Sequence, residues 1–321
     1  VRRTLGWTVA ACGLLAVAAV LGCSIGQAGW VWQADWNVIR NVRLPRVALA
    51  CIVGATLALC GAGYQGVFRN PLVDPYQLGV AAGAGLGATL VFVSDRGATA
   101  GWWIDPLPLA SFIFGLGAVA LTYFVGAAFG SSRNTTSLVL AGVAVVSLLT
   151  ALQTYVLQRN TDVVQEVYSW ILGSLNGSTW SEVRLVLPYV MASAAVLLAH
   201  RRHLEVLRVG EDEARALGID VGRVRLIVVF AATLGTAAVV SVSGLIGFVG
   251  LVVPHIIRLV AGASYRLVLP LSMLVGASFM VFADIIGRVV LDGGELPIGV
   301  VTAVLGAPLF IVLLRTRRSL V

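Results

Sequence analysis

The chain has 321 residues, 59% of them hydrophobic and 12% charged, with a formal net charge of +7. Soluble domains are about one-quarter charged, so this composition excludes an ordinary water-soluble enzyme or binding module and points to an integral membrane protein. All 22 basic residues are arginine. A phosphate loop of the G-x-x-x-x-G-K-[ST] type needs a lysine on the nucleotide phosphates, so the chain carries no such site and any ATP-driven work belongs to another polypeptide.

A membrane-crossing helix takes about 20 apolar residues. In chain order the apolar runs fall at 5–25, 47–67, 77–94, 107–129, 138–157, 182–200, 225–242, 248–261, 268–288 and 297–314. They predict an all-α integral membrane fold of about ten transmembrane helices in a compact bundle, one transmembrane domain over 1–321 with no room for a separate soluble domain. Arg2 and Arg3 precede the first run as they would a cleavable signal, but the run exceeds a typical signal h-region, and a retained span is expected. Cys12, Cys23, Cys51 and Cys60 lie inside apolar runs without metal-ligand spacing and are expected to pack as small residues.

The basic excess has a topological reading. With an internal N-terminus and ten spans, 15 arginines fall on the cytoplasmic side and seven outside, as the positive-inside rule requires, with both termini cytoplasmic. Trp30, Trp32, Trp36, Trp102, Trp103 and Trp180 fall at the outer interface, where indole rings prefer to sit. No basic patch with interleaved aromatics suggests nucleic acid. Gly79, Gly83 and Gly87 recur every four residues, and Gly61, Gly63 and Gly66 crowd the end of the second span. Small residues at these spacings let helix backbones approach closely in lipid.

In the fifth span Ser147, Thr150, Thr154 and Gln158 fall at spacings of three, four and four along one helical face, with Gln153 beside it. Polar groups in hydrocarbon are costly unless they face other helices or water; the residues alone leave interhelical hydrogen bonding and pore lining both open. Between His200 and Arg225 lies a charged island with six arginines and five acids. Gly210 can cap a short helix there. Its first turn, Glu211, Asp212 and Glu213, complements the helix dipole, Arg215 lies near the other end, and Gly218 terminates it. Ala214, Ala216 and Leu217 are expected to gain order by packing on a neighbour, because an isolated helix of this length is marginal. Asp220 is placed to cap the next span. Enzyme chemistry has no support: His200, His203 and His255 form no metal-type cluster, and no H-E-x-x-H or G-x-S-x-G occurs.

Several ordered blocks resemble the FecCD-type permeases of type II ATP-binding-cassette importers, which include cobalamin, haem and iron-siderophore permeases. They are Arg43-Leu-Pro-Arg46 followed by VALACIVGATLALCGAGYQGVFRNPLVDPYQLGVAAGAG to Gly85, WILGSL at 170–175, VGEDEARALGIDV at 209–221, GLIGFVGLVVPHIIRLVAG at 244–262, ADIIGR at 283–288 and ELPIGVVTAVLGAPLF at 295–310. The resemblance implies a bacterial cytoplasmic-membrane permease subunit paired with a second, identical or related permease. Two ATPase subunits carrying ATP and Mg2+ would lie below and a substrate-binding protein above, with no cofactor or metal in this chain. It also implies that residues 203–222 hold the cytoplasmic coupling segment, with Gly210, Glu211, Ala214, Arg215, Leu217 and Gly218 at the ATPase. Ser147, Thr150, Gln153, Thr154 and Gln158 would line the translocation pathway, and Asn70, Leu72, Thr135 and Thr136 the cytoplasmic gate. Arg43, Arg46 and Arg288 would dock the binding protein, although Arg288 is also spaced to pair with Asp284 at i,i+4.

A pathway for bare metal ions presents carboxylate rings or an equivalent cage, whereas this face is uncharged; the expected cargo is a bulky chelate carried intact. Iron(III)-siderophore ranks first, haem and cobalamin behind it, since only Tyr155 in this helix resembles a haem ligand. Two readings of other classes remain: a proton-coupled secondary transporter using an intramembrane acid such as Asp284, and a scaffold or receptor that moves nothing.

Overall fold

A computed structural model describes residues 2–26, 29–30, 36–94, 105–128, 135–291 and 294–317. Trp32, Trp102, Trp103, Arg96, Arg133 and Arg318 lie outside the described residues, as do the side chains of Trp30 and Thr135.

The first helix, α1 (Arg2–Ser24), ends in a two-residue hairpin of β1 (Ile25–Gly26) and β2 (Gly29–Trp30). A short turn, α2 (Trp36–Val38), and a π-helical turn at Ile39–Arg43 lead into α3 (Leu44–Val67). Pro45 sits in the first turn of α3, where proline is tolerated. The remaining helices are α4 (Val80–Ser94), α5 (Pro106–Ala128), α6 (Thr135–Arg159), α7 (Val164–Ile171), α8 (Trp180–Ala199), α9 (Arg201–Leu207), α10 (Glu211–Ala216), α11 (Val221–Ser243), α12 (Val249–Ala261), α13 (Tyr265–Val289) and α14 (Ile298–Arg317). Seven long apolar helices and three shorter ones, α4, α12 and α14, account for the ten expected spans. The protein is a multi-pass membrane protein of all-α architecture.

The third span starts later than the hydropathy predicts. Asp74 accepts the Tyr76 N–H at 2.9 Å, Pro75 opens a single 3-10 turn, and Gly79 leaves it at φ +101°. That conformation suits glycine alone, so the α-helix begins only at Val80. The signal that α7 exists was absent from the hydropathy because its eight residues are too few to cross a bilayer.

Helix α3 is apolar on nearly every face and accordingly sits at the centre. It packs on α13, α11 and α12. The close approach needs glycine: a Cβ on Gly54 would fall on the Gly276 carbonyl of α13, and one on Gly61 on the Gly250 carbonyl of α12. Gly83 and Gly87 do the same for α4 against Phe114 and Ala110 of α5, as the four-residue glycine spacing predicts. Tyr64 and Thr233 share a buried hydroxyl hydrogen bond of 2.8 Å between α3 and α11. Helices α1 and α6, by contrast, leave much of their apolar surface exposed on this chain.

The bundle has two chemically distinct ends. The charged end gathers the last turn of α3, α9, α10 and the starts of α11 and α13. The far end gathers the last turns of α1 and α13, the start of α3 and the start of α8. There Trp180 donates its indole N–H to the Arg40 carbonyl at 3.1 Å, and Trp36 is exposed.

Candidate functional site

At the charged end, α10 is a six-residue helix on an extended Gly210 that provides no side-chain cap, and Gly218 ends the segment at φ +79°. Asp220 caps α11 by accepting the Arg223 N–H at 3.0 Å. The caps predict α10 and the start of α11; the structure adds a second short helix, α9, before them. Ala214 is buried beneath α10, but Ala216 is exposed and Leu217 is 71% exposed. Of the three, Ala214 packs within this chain, and the last turn of α10 points Ala216 and Leu217 away from it.

What holds α10 is Glu211. Its carboxylate accepts Arg225 Nη2 at 2.6 Å and Arg215 Nη2 at 3.0 Å, and lies 3.7 Å from Arg69 Nη2. Arg225, in the second turn of α11, is only 2% exposed. One acid thus ties together α10, the buried base of α11 and the chain just after α3. Arg215 also donates to Asp212 at 2.7 Å. Sequence reasoning missed Arg225 and Arg69; for Arg225 the available signal was an arginine inside an otherwise apolar helix, which must find a partner when buried.

Beside this hub lies a cavity of about 260 Å3 lined by Gln65, Arg69, Asn70, Arg208, Arg258 and Tyr265, among others. Asn70 Oδ1 accepts the Leu72 N–H at 3.0 Å, so these two residues form one small turn, and Leu72 is exposed. Thr136 is exposed in the first turn of α6. The described residues bring Asn70 and Leu72 together in that turn.

The fifth-span face splits in two. Ser147, Thr150, Thr154 and Gln158 are all exposed along α6. Ser147 and Thr154 return their hydroxyl protons to the Val143 and Thr150 carbonyls, each at 2.9 Å. Gln153 lies about 120° round the helix from Ser147, given about 100° per residue. It is buried and donates to Thr89 Oγ1 of α4 at 3.0 Å. Four of the five residues share an open face, and Gln153 serves packing between helices.

At the far end the three arginines turn inward. Arg43 is 6% exposed and donates to the Cys23 and Ser24 carbonyls at the end of α1, at 3.1 and 3.0 Å. Arg288 is 4% exposed, donates to the Gly22 and Ile25 carbonyls at 2.9 and 3.1 Å, and forms the i,i+4 pair with Asp284. Arg46 bridges Asp284 and Glu295, each at 2.8 Å. Arg46, Asp284 and Glu295 border a polar cavity of about 400 Å3 that reaches Ser174, Asn176 and Ile298. In this conformation Arg43 and Arg288 face their own chain rather than solvent, because helix-end carbonyls and Asp284 meet their charge. Asp284 is engaged by both Arg46 and Arg288.

Comparison with known proteins gives this geometry a family. The FecCD transport family matches residues 8–316. The cobalamin import system permease protein BtuC of Halobacterium salinarum is 40% identical over 87% of this chain and 74% of its own length. The molybdate import system permease protein MolB of Haemophilus influenzae is 37% identical over 90% of this chain and 86% of its own. A solved structure described as an inward-facing conformation of a metal-chelate type ABC transporter superposes with a TM-score of 0.86 at 34% identity, covering 98% of both chains. The chain belongs to the FecCD transport family and is a permease of an ATP-binding-cassette importer.

Proposed function

We propose that this permease carries a bulky metal chelate intact across the cytoplasmic membrane, driven by ATP and Mg2+ on two separate ATPase subunits that seat on α10. The observation that carries this reading is the open face of α6, where hydroxyls and an amide stand without a carboxylate, together with Leu217 exposed at the tip of the charged end. An uncharged wall suits a large chelate that keeps its own ligands, and disfavours a bare cation that needs a ring of acids. The charged end is cytoplasmic in this reading, with both termini on that side, and Asn70, Leu72, Thr135 and Thr136 form the inner gate. The far-end cavity, edged by Arg46 and Glu295 with Arg43 and Arg288 behind, receives a substrate-binding protein whose acids compete for these arginines. A second permease copy or relative completes the pathway opposite α6.

Cobalamin is the first cargo to test, because a relative 40% identical is named for it; an iron(III)-siderophore fits the same uncharged wall, with haem after it. Proteoliposomes holding the permease, its ATPase and its binding protein should accumulate labelled cobalamin or labelled ferric siderophore only while ATP is hydrolysed. Uptake that persists unchanged with a non-hydrolysable nucleotide, or that follows a proton gradient instead, sinks the reading.

A further inference from the structure

Both ends of the bundle present an arginine-lined cavity, and they differ in how the charge is met. At the far end Arg46 and Arg288 are each held by a carboxylate. In the 260 Å3 cavity at the charged end the balance is incomplete. Arg208 pairs with Glu205 at 3.1 Å, and Arg69 shares Glu211 with Arg215 and Arg225. Glu205 is further committed to the Ser264 hydroxyl and the Tyr265 N–H, at 3.1 and 2.6 Å.

Arg258, at the base of this cavity, has no acid among the described residues. Its Nη1 donates to the neutral Gln65 Oε1 at 2.5 Å, and its guanidinium lies 5.7 Å from the Tyr265 ring centroid. Gln65 is itself fixed, donating to the Gly250 carbonyl at 3.1 Å. The second terminal nitrogen, Nη2, is shielded from bulk water and has no hydrogen-bond partner. Shielded charges in folded proteins are paired, and an unmet donor of this kind calls for a missing ion or water. The neighbouring Leu259 and Val260 are exposed apolar residues on the last turn of α12, which puts lipid within reach of the cavity mouth.

We propose that this cavity is a binding site for a phosphate-type oxyanion, either the phosphodiester of an anionic lipid headgroup or free phosphate, with Arg258 as its fixed positive charge and Arg69 and Arg208 closing over it. Planar guanidinium groups match phosphate geometry in bidentate fashion. The half-exposed Arg69 and Arg208 keep room to swing, whereas Arg258 is held in place by Gln65 and Tyr265. Because Arg69 also reaches Glu211, an occupied site pulls on the group that anchors α10.

Calorimetric titration of the full-length protein in neutral detergent with inorganic phosphate tests the free-anion source. Native mass spectrometry after extraction from phosphatidylcholine nanodiscs doped with phosphatidylglycerol tests the lipid source. Saturable binding in either arm is expected, weakened about tenfold by Arg258→Gln, the scale of losing one charge-assisted contact. Arg208→Gln weakens it similarly and guards against misfolding of the first variant. Arg223→Gln removes one exposed charge outside the cavity and should leave binding intact. Absence of saturable binding in both arms overturns the proposal. So does equal weakening by Arg223→Gln, which would reduce the effect to general surface charge, and so does binding that only the docked ATPase abolishes while Arg258→Gln leaves it unchanged.

Discussion

Removing the Glu211 carboxylate leaves Arg225 buried with its main countercharge gone, whereas removing Arg215 strips an exposed arginine from the same acid. Breaking one side of a buried ion pair costs about 3–5 kcal/mol, and an exposed pair contributes about 0–1 kcal/mol. Glu211→Ala is therefore expected to lower the thermal unfolding midpoint in detergent far more than Arg215→Ala. The double variant Glu211→Ala with Arg225→Leu should recover part of the loss, since the buried charge of Arg225 is then gone as well. Equal midpoints for the two single variants would show that the hub does not hold α10. The hub also marks the limit of residue-level reading. The sequence places Glu211 in the first turn of a short helix, where the dipole accounts for its charge, and nothing local announces that a span 14 positions away supplies its partner. Likewise a charge census assigns Arg43 and Arg288 to the far end but is silent on direction. Whether a guanidinium turns toward water or toward the open carbonyls of α1 depends on where α1 stops, which is a tertiary fact.

Elements fare better, since the properties that define them are local. Apolar length marks all ten spans, Asp220 and Gly218 bracket the turn into α11, and glycine spacing foretells the α4–α5 approach. The misplaced start of α4 has a local cause too, but a competing one: Asp74, Pro75 and Gly79 build a capped turn inside a run whose hydropathy continues through it. The glycine contacts make a sharp prediction at this scale. Gly61→Ala drives a methyl onto the Gly250 carbonyl, and α3 and α12 must separate. Overpacking of this kind costs about 1–3 kcal/mol. Gly117→Ala in α5 meets nothing within 4 Å, so it gains the helix preference of alanine, about 0.5–1 kcal/mol. Unfolding midpoints moving in opposite directions are expected. A harmless Gly61→Ala would mean that the central packing is looser than its geometry.

Across the whole molecule, the informative surfaces are those this chain leaves open. Leu217 at the tip of α10 contributes little to the fold, so Leu217→Arg should shift stability by no more than about 0.5 kcal/mol. Seated in an ATPase cleft, it should nonetheless uncouple hydrolysis from uptake in proteoliposomes; retained coupling would remove the tip from the mechanism. The open face of α6 is harder to read, because exposure on one chain fits water, lipid or a second subunit alike. Hydropathy reveals the stripe but not what covers it, and only Gln153 was resolved by packing, against Thr89. Thiol chemistry separates the cases. In a background with Cys12, Cys23, Cys51 and Cys60 replaced by alanine, cysteines at Ser147, Thr154 and Gln158 are compared with one at Phe124, which is exposed on α5 among apolar neighbours. A membrane-impermeant maleimide needs a hydrated thiolate, which hydrocarbon suppresses. A water-lined pathway predicts labelling at Ser147, Thr154 and Gln158 in the assembled transporter, protection when substrate is loaded, and no labelling at Phe124. Uniformly inert thiols along α6 would instead return these hydroxyls to helix packing, their protons spent on the carbonyls one turn back.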